Sequence, residues 1–249
     1  MQYGICNLSA VSLRLEPSER SEMTSQLLYG EHFKVLENRD KWSKIRVAHD
    51  LFEGWINNSQ YLLISEENYS KFDAAEPVFS ADLVELIFDE KQNLLPIPLG
   101  SVINFHSFLA HKYDGKKISG KTAKTKLLET AFLYLNTPFL WGGKSPFGID
   151  ASGLTQMVYR LSGYQISRNA AQQAQQGESL SFIEESEPGD LAFFDDKEGI
   201  INHVGLMMHN NYIIHAFGKV RVDRIDHSGI YNAELRRHTH KLRVIKKII

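Results

Sequence analysis

The stretch Trp141-Gly-Gly-Lys-Ser-Pro-Phe-Gly-Ile-Asp-Ala-Ser-Gly-Leu154 constrains this chain most. Gly142, Gly143, Pro146 and Gly148 break any regular element and dictate an irregular loop. Behind it, Leu154, Met157, Val158 and Leu161 repeat at i, i+3, i+4 and i+7, the spacing of one apolar helix face. Asp150 is placed to cap that helix. Ala151 then falls in the first turn, where unpaired N–H groups and the helix dipole favour an anion. A cysteine at such a position is pushed toward thiolate. The methyl group of Ala151 can attack nothing.

Around this loop the chain alternates in short apolar–polar runs. Val11–Leu15, Gly30–Glu37, Trp42–Val47 and Gly54–Ile56 read as strands of a small β-barrel spanning residues 1–64. Residues 65–77 are polar and unpatterned, which reads as a linker. Residues 78–123 hold further strand-like runs, Leu83–Phe88 and Ser101–Phe105, with a turn at Asp114-Gly115, and read as a second, degenerate module. Residues 124–249 begin with a helix over Thr125–Asn136, ended by Thr137-Pro138. A helix over Ala170–Gln176 and a strand over Asp190–Phe194 follow. Val204–Met208 and Tyr212–Ala216 form a hairpin around Asn210-Asn211, and Val220–Val222 and Leu242–Ile249 close the sheet. A helix packed on an antiparallel sheet is an α+β layout.

The separated motifs resemble the NlpC/P60 cysteine peptidases. The carrying residues are Trp141-Gly-Gly-Lys-Ser with Gly148-Ile-Asp-Ala-Ser-Gly-Leu154, then Pro188–Phe194, Asn202-His-Val-Gly-Leu206 and Ile213-Ile-His-Ala-Phe-Gly218. The resemblance covers roughly residues 124–249 and implies a papain-like catalytic domain. It places the family's nucleophile on Ala151, its base on His203 and its orienting polar residue on His215. The order of residues 1–64 resembles a bacterial SH3 domain. Two such modules before an NlpC/P60 domain resemble the γ-D-glutamyl-L-diamino acid endopeptidase (dipeptidyl-peptidase VI-like) subgroup. That likeness implies a murein peptide, L-Ala-γ-D-Glu-diamino acid, as substrate, in murein peptide recycling. It implies that Glu22 pairs with the free L-Ala ammonium, that Phe52 packs beside it where the subgroup has tyrosine, and that Asp150, Ser152, Arg168 and Asn169 contact substrate.

With the cysteine replaced by Ala151, the first expectation is an inactivated, substrate-trapping peptidase. The alternative is a pseudoenzyme that binds muropeptides as sensor or scaffold, and a third reading is a wall-binding SH3 protein with an inert C-terminal domain. Ser152 is no substitute nucleophile, because it leaves the helix about 100° around from residue 151. Gly142-Gly-Lys-Ser145 is no phosphate loop, since the pattern needs a glycine where Pro138 stands. His209, His227, His238 and His240 read as solvated, and Asp195-Asp196 and Asp223…Asp226 as turns.

A formal charge of −2 argues against nucleic acid as partner. No apolar run reaches the ~18 residues of a membrane span. The single Cys6 excludes an intrachain disulfide framework. No metal or organic cofactor is implied, and a monomer is expected. The start, Met1-Gln-Tyr-Gly-Ile-Cys6, lacks a basic n-region and apolar core, so the location expected is cytoplasmic; a chain whose leader had been removed, and which is secreted or periplasmic, would read the same.

Overall fold

The computed structural model describes residues 1–249 and resolves them into two compact units. The first is Met1–Gly120 with Trp141–Pro146, and the second is Lys121–Leu140 with Phe147–Ile249.

The first unit opens with β1 (Gln2–Ile5), β2 (Ala10–Arg14), β3 (Met23–Leu28), β4 (His32–Asn38), β5 (Trp42–Val47), β6 (Glu53–Asn57) and β7 (Leu62–Ile64). They form one antiparallel sheet in the order β3-β2-β6-β5-β4-β1-β7, an SH3-like barrel. Alternation turns Val11, Leu13, Leu27, Phe33, Val35, Ile45 and Val47 into its core with Cys6. Burial pushes the Cys6 thiol up to about 12, so the one thiol of the chain stays protonated and inert.

Residues 65–77, expected as an unpatterned linker, instead hold α1 (Glu66–Asp73). Ser65 caps it by accepting from the Asn68 amide. Tyr69 and Phe72, one turn apart, are buried; Tyr69 packs on Tyr3 and Phe72 stacks on Phe105 at 3.8 Å. Two aromatics three residues apart are enough to dock a helix whose other residues are polar.

Then come β8 (Val78–Ser80), β9 (Val84–Asp89), β10 (Leu94–Pro98), β11 (His111–Lys112) and β12 (Lys117–Ser119). They split into two small sheets, β10-β9-β11 and β12-β8. The turn at Asp114-Gly115 therefore passes the chain between sheets rather than closing a hairpin. The strand expected over Ser101–Phe105 is reduced to a single bridge at Val102, opposite Phe79. Beyond the main run of this unit, β13 (Lys144–Ser145) lies against β3.

The second unit contains α2 (Leu127–Phe132), β14 (Gly148–Ile149), α3 (Ala151–Leu161) and α4 (Ala170–Gln173). Both α2 and α4 are shorter than the spacing predicted. Past the end of α2, the chain turns at Asn136, which takes a left-handed conformation (φ 66°). Then follow β15 (Glu178–Leu180), β16 (Leu191–Asp195), β17 (Ile201–Met207), β18 (Tyr212–Phe217), β19 (Lys219–Asp226), β20 (Gly229–Asn232) and β21 (Arg237–Lys247). The sheet order is β15-β21-β16-β17-β18-β19-β20, and β20 also pairs with β21, which closes six of the strands on themselves. The predicted hairpin is present: Asn210 and Asn211 carry the positive φ (59° and 57°) that asparagine tolerates in a tight turn. Helix α3 packs on β17 and β18. No helix in either unit is long and apolar enough to cross a membrane.

Candidate active site

The site is assembled in the second unit from the start of α3 and three neighbouring strands. Asp150 has an extended backbone (φ −94°, ψ 174°) and accepts from the Gly153 amide at 2.6 Å, the expected N-cap. It is held in turn by Arg168, whose two terminal nitrogens reach its two oxygens at 2.9 and 2.7 Å. Arg168 also donates to Ser152 Oγ at 3.0 Å. Arg168 is 1% exposed. Arg168 and Ser152, both substrate contacts by the resemblance, are tied to the cap: the guanidinium binds Asp150, and the Ser152 hydroxyl accepts from the guanidinium. Asn169 is exposed at the start of α4. Ala151 is buried, as the first residue of α3. Its amide is one of those a helix leaves without an internal partner.

Register brings the histidines together. His203 lies opposite Phe194, Gly205 opposite His215, and Ile213 opposite Asp223. Since alternate residues share a face, His203, His215 and Asp223 line one face of three adjacent strands. Gly205 makes the approach possible: a Cβ there would stand 2.9 Å from His215 Cβ and 2.8 Å from Ile213 side-chain carbons. His203 Nε2 then lies 2.8 Å from His215 Nδ1, and His215 Nε2 lies 3.1 Å from Asp223 Oδ2.

Asp223 can only accept, so the protons order themselves. His215 donates from Nε2 to Asp223 and accepts at Nδ1 from His203 Nε2–H, which leaves His203 Nδ1 as the basic lone pair. Burial pushes His203 well below the ordinary histidine value, with His215 and His240 adding to the effect. Burial also lowers His215, although Asp223 opposes it. For Asp223, burial raises the carboxyl, but hydrogen bonds from His215 and Arg221 outweigh it and hold the group low. The relay therefore carries neutral imidazoles on an ionised carboxylate.

Two members were not read from the sequence. Asp223 sits inside β19 and not in the turn that its sequence surroundings suggest, and it also accepts from Arg221 at 2.7 and 3.0 Å. The signal lay in the register of β18 with β19, which no local pattern supplies. His240, which the sequence reads as solvated, stacks on His203 at 3.9 Å between ring centres. Its burial pushes it down to about 4. His209, His227 and His238 are exposed.

His203, His215 and His240 have ring nitrogens within 4.8 Å of one another and are the chain's candidate metal ligands. Their geometry is poor for that role. Imidazole lone pairs lie in the ring plane, and the His203 and His240 rings stack within 21° of parallel, so the lone pairs run side by side instead of converging. The His203–His215 hydrogen bond also occupies the nitrogens between those two rings.

In the first unit, Glu22 is exposed and accepts from Trp141 Nε1 at 2.5 Å. Phe52 packs against the edge of the barrel core. Lys144, from the rejected phosphate-loop pattern, is buried on Glu31 at 3.1 Å.

Residues 136–240 match the NlpC/P60 family, and residues 13–60 match the bacterial dipeptidyl-peptidase Sh3 domain. The chain carries an NlpC/P60 domain and a bacterial SH3 domain. Among relatives, it is 36% identical over 92 residues to the γ-D-glutamyl-L-lysine dipeptidyl-peptidase of Bacillus subtilis (strain 168), covering 36% of this chain and 31% of that one. It is 26% identical to dipeptidyl-peptidase 6 of Lysinibacillus sphaericus, covering 86% of this chain and 89% of that one. An NlpC/P60 family protein from Bacillus cereus ATCC 10987 shares the fold, with a TM-score of 0.82 at 17% identity over 99% of both chains.

Proposed function

We propose that this chain is a murein-peptide hydrolase of the γ-D-glutamyl-L-diamino acid type, in a form that binds its peptide without cutting it because position 151 is alanine. The observation that carries the reading is the ordered relay His203–His215–Asp223 set in the same unit as a capped helix whose first residue is Ala151. The names of the relatives from Bacillus subtilis and Lysinibacillus sphaericus support the substrate class. Recycling of released wall peptides is the setting that fits such a substrate.

With a thiol at 151, the chemistry follows from the proton order. His203 Nδ1 takes the thiol proton, and the thiolate attacks the γ-carbonyl carbon of D-Glu. The residue-151 amide faces the resulting oxyanion. His203 returns its proton to the leaving amine as the C–N bond breaks, giving a thioester that water hydrolyses. Alanine keeps the amide and the cap while supplying neither proton nor nucleophile, so the sequence of steps stops at binding. Within the first unit, the exposed Glu22 carboxylate accepts from Trp141 and is suited to an ammonium group.

The test is hydrolysis of L-Ala-γ-D-Glu-diaminopimelate by Ala151→Cys beside the parent. Cleavage by the cysteine form, with binding alone by the parent, is the expected result. A folded cysteine form that binds and never cuts would turn the reading to a muropeptide-binding pseudoenzyme. Failure of both to bind would remove the substrate.

A further inference from the structure

A cleft of about 880 Å³ opens beside His203 in the second unit, and its lining includes Phe139, Phe217 and His240. The lining also carries three acids, Asp195, Asp196 and Glu198, and three bases, Lys197, Lys241 and Arg243. Asp195 differs from the others. Its side chain is 2% exposed, and its buried Oδ1 accepts no hydrogen bond. Lys241 Nζ stands 4.0 Å away, and Arg243 Nε stands 3.8 Å from Oδ2. Both cations are mostly exposed, at 76% and 62%, and neither closes to hydrogen-bond distance. The strand is bulged where Phe194 passes to Asp195, a device that re-aims a side chain. A buried carboxylate oxygen without a donor is costly unless something fills the position.

We propose that this cleft is the subsite for the leaving residue, and that it selects a side chain ending in both an ammonium and a carboxylate, as in diaminopimelate. The inference rests on the hydrolase reading. His203 protonates the leaving amine, so the leaving residue lies along the flank of His203, where the cleft is. The ammonium donates to Asp195 Oδ1. The carboxylate takes Lys241 and Arg243, which already stand beside Asp195 without saturating it. A lining of three acids and three bases suits a zwitterion better than the lone ammonium of lysine, which brings no carboxylate for the two cations.

The experiment is calorimetric titration of the parent chain, which cannot turn over. The ligands are L-Ala-γ-D-Glu-meso-diaminopimelate, L-Ala-γ-D-Glu-L-Lys and L-Ala-γ-D-Glu. The diaminopimelate peptide should bind about tenfold tighter than the lysine peptide. Asp195→Asn should weaken both tripeptides and leave the dipeptide unchanged, and Arg243→Ala should erase the preference for diaminopimelate. If Asp195→Asn does not fold, the ranking on the parent and on Arg243→Ala decides. Equal affinity for the two tripeptides, or a lysine preference, overturns the proposal. Tripeptides that bind no tighter than the dipeptide overturn the subsite while leaving the hydrolase reading standing. If nothing binds, the hydrolase reading falls and the subsite with it.

Discussion

At the scale of single residues, the relay depends on Asp223 keeping His215 in one tautomer. In an Ala151→Cys background, Asp223→Asn should lower kcat by on the order of 10²–10⁴-fold with little change in KM, because an amide can stabilise the wrong tautomer and carries no charge. Steady-state kinetics separates that outcome from a binding defect, which would raise KM instead. His240 supplies a prediction about pH. Its folded value is about 4, below the ordinary histidine value near 6.5, so the unfolded chain takes up the proton first. Stability from this group is full above about pH 6.5 and is lost as pH falls toward 4. His203 and His215 are shifted in the same direction. Thermal melts from pH 8 to pH 4 should therefore show a shallower decline for His240→Phe than for the parent. Parallel curves would mean that the ring titrates normally in the folded protein.

Among the elements, α3 places two duties on one residue. Asp150 caps the helix and balances the buried guanidinium of Arg168. Asp150→Ala removes the cap and strands a buried charge, for an expected loss of about 3–5 kcal/mol. Arg168→Met leaves only the carboxylate, which still caps the helix and keeps the Gly153 amide, and should cost less. Urea unfolding of the two variants ranks them, and a smaller loss for Asp150→Ala would show that the cap is not the anchor. The strand pair β17–β18 has a comparable dependence on Gly205. Gly205→Ala should push His215 away from His203 and reduce activity in the cysteine background while changing stability less, which activity and melting together would reveal.

The whole first unit is not one continuous stretch of chain. Lys144 arrives from Trp141–Pro146 and is buried, 1% exposed, against Glu31, which His49 also approaches at 3.3 Å. A fragment of residues 1–120 would bury Glu31 without that ammonium. It should melt well below the corresponding transition of the full chain, and Glu31→Gln should restore part of the loss, since removing the charge is cheaper than leaving it unpaired. A fragment as stable as the parent would show that Lys144 contributes little. This closure also explains why a boundary drawn from composition near residue 123 misses part of the unit: the six residues that complete it are separated from it by Lys121–Leu140.

Local pattern was sufficient for what neighbouring residues decide. Asp150 before an apolar i, i+3, i+4, i+7 face determined the capped helix, Asn210-Asn211 determined a hairpin turn, and alternation determined the strands of the first barrel, because each depends on backbone preferences and on which face meets the core. The motifs around Ala151, His203 and His215 were legible for the same reason, as short runs with their own order. What remained for the tertiary structure were partnerships across many residues. Asp223 meets His215 only through strand register. His240 stacks on His203 only because β21 pairs with β16 and β20. Arg168 is buried on Asp150 across 18 residues of sequence, and Lys144 on Glu31 across 113. A charged side chain in a sequence looks the same whether it faces water or a buried counter-charge. The difference is set by desolvation, and desolvation exists only once distant segments have closed over it.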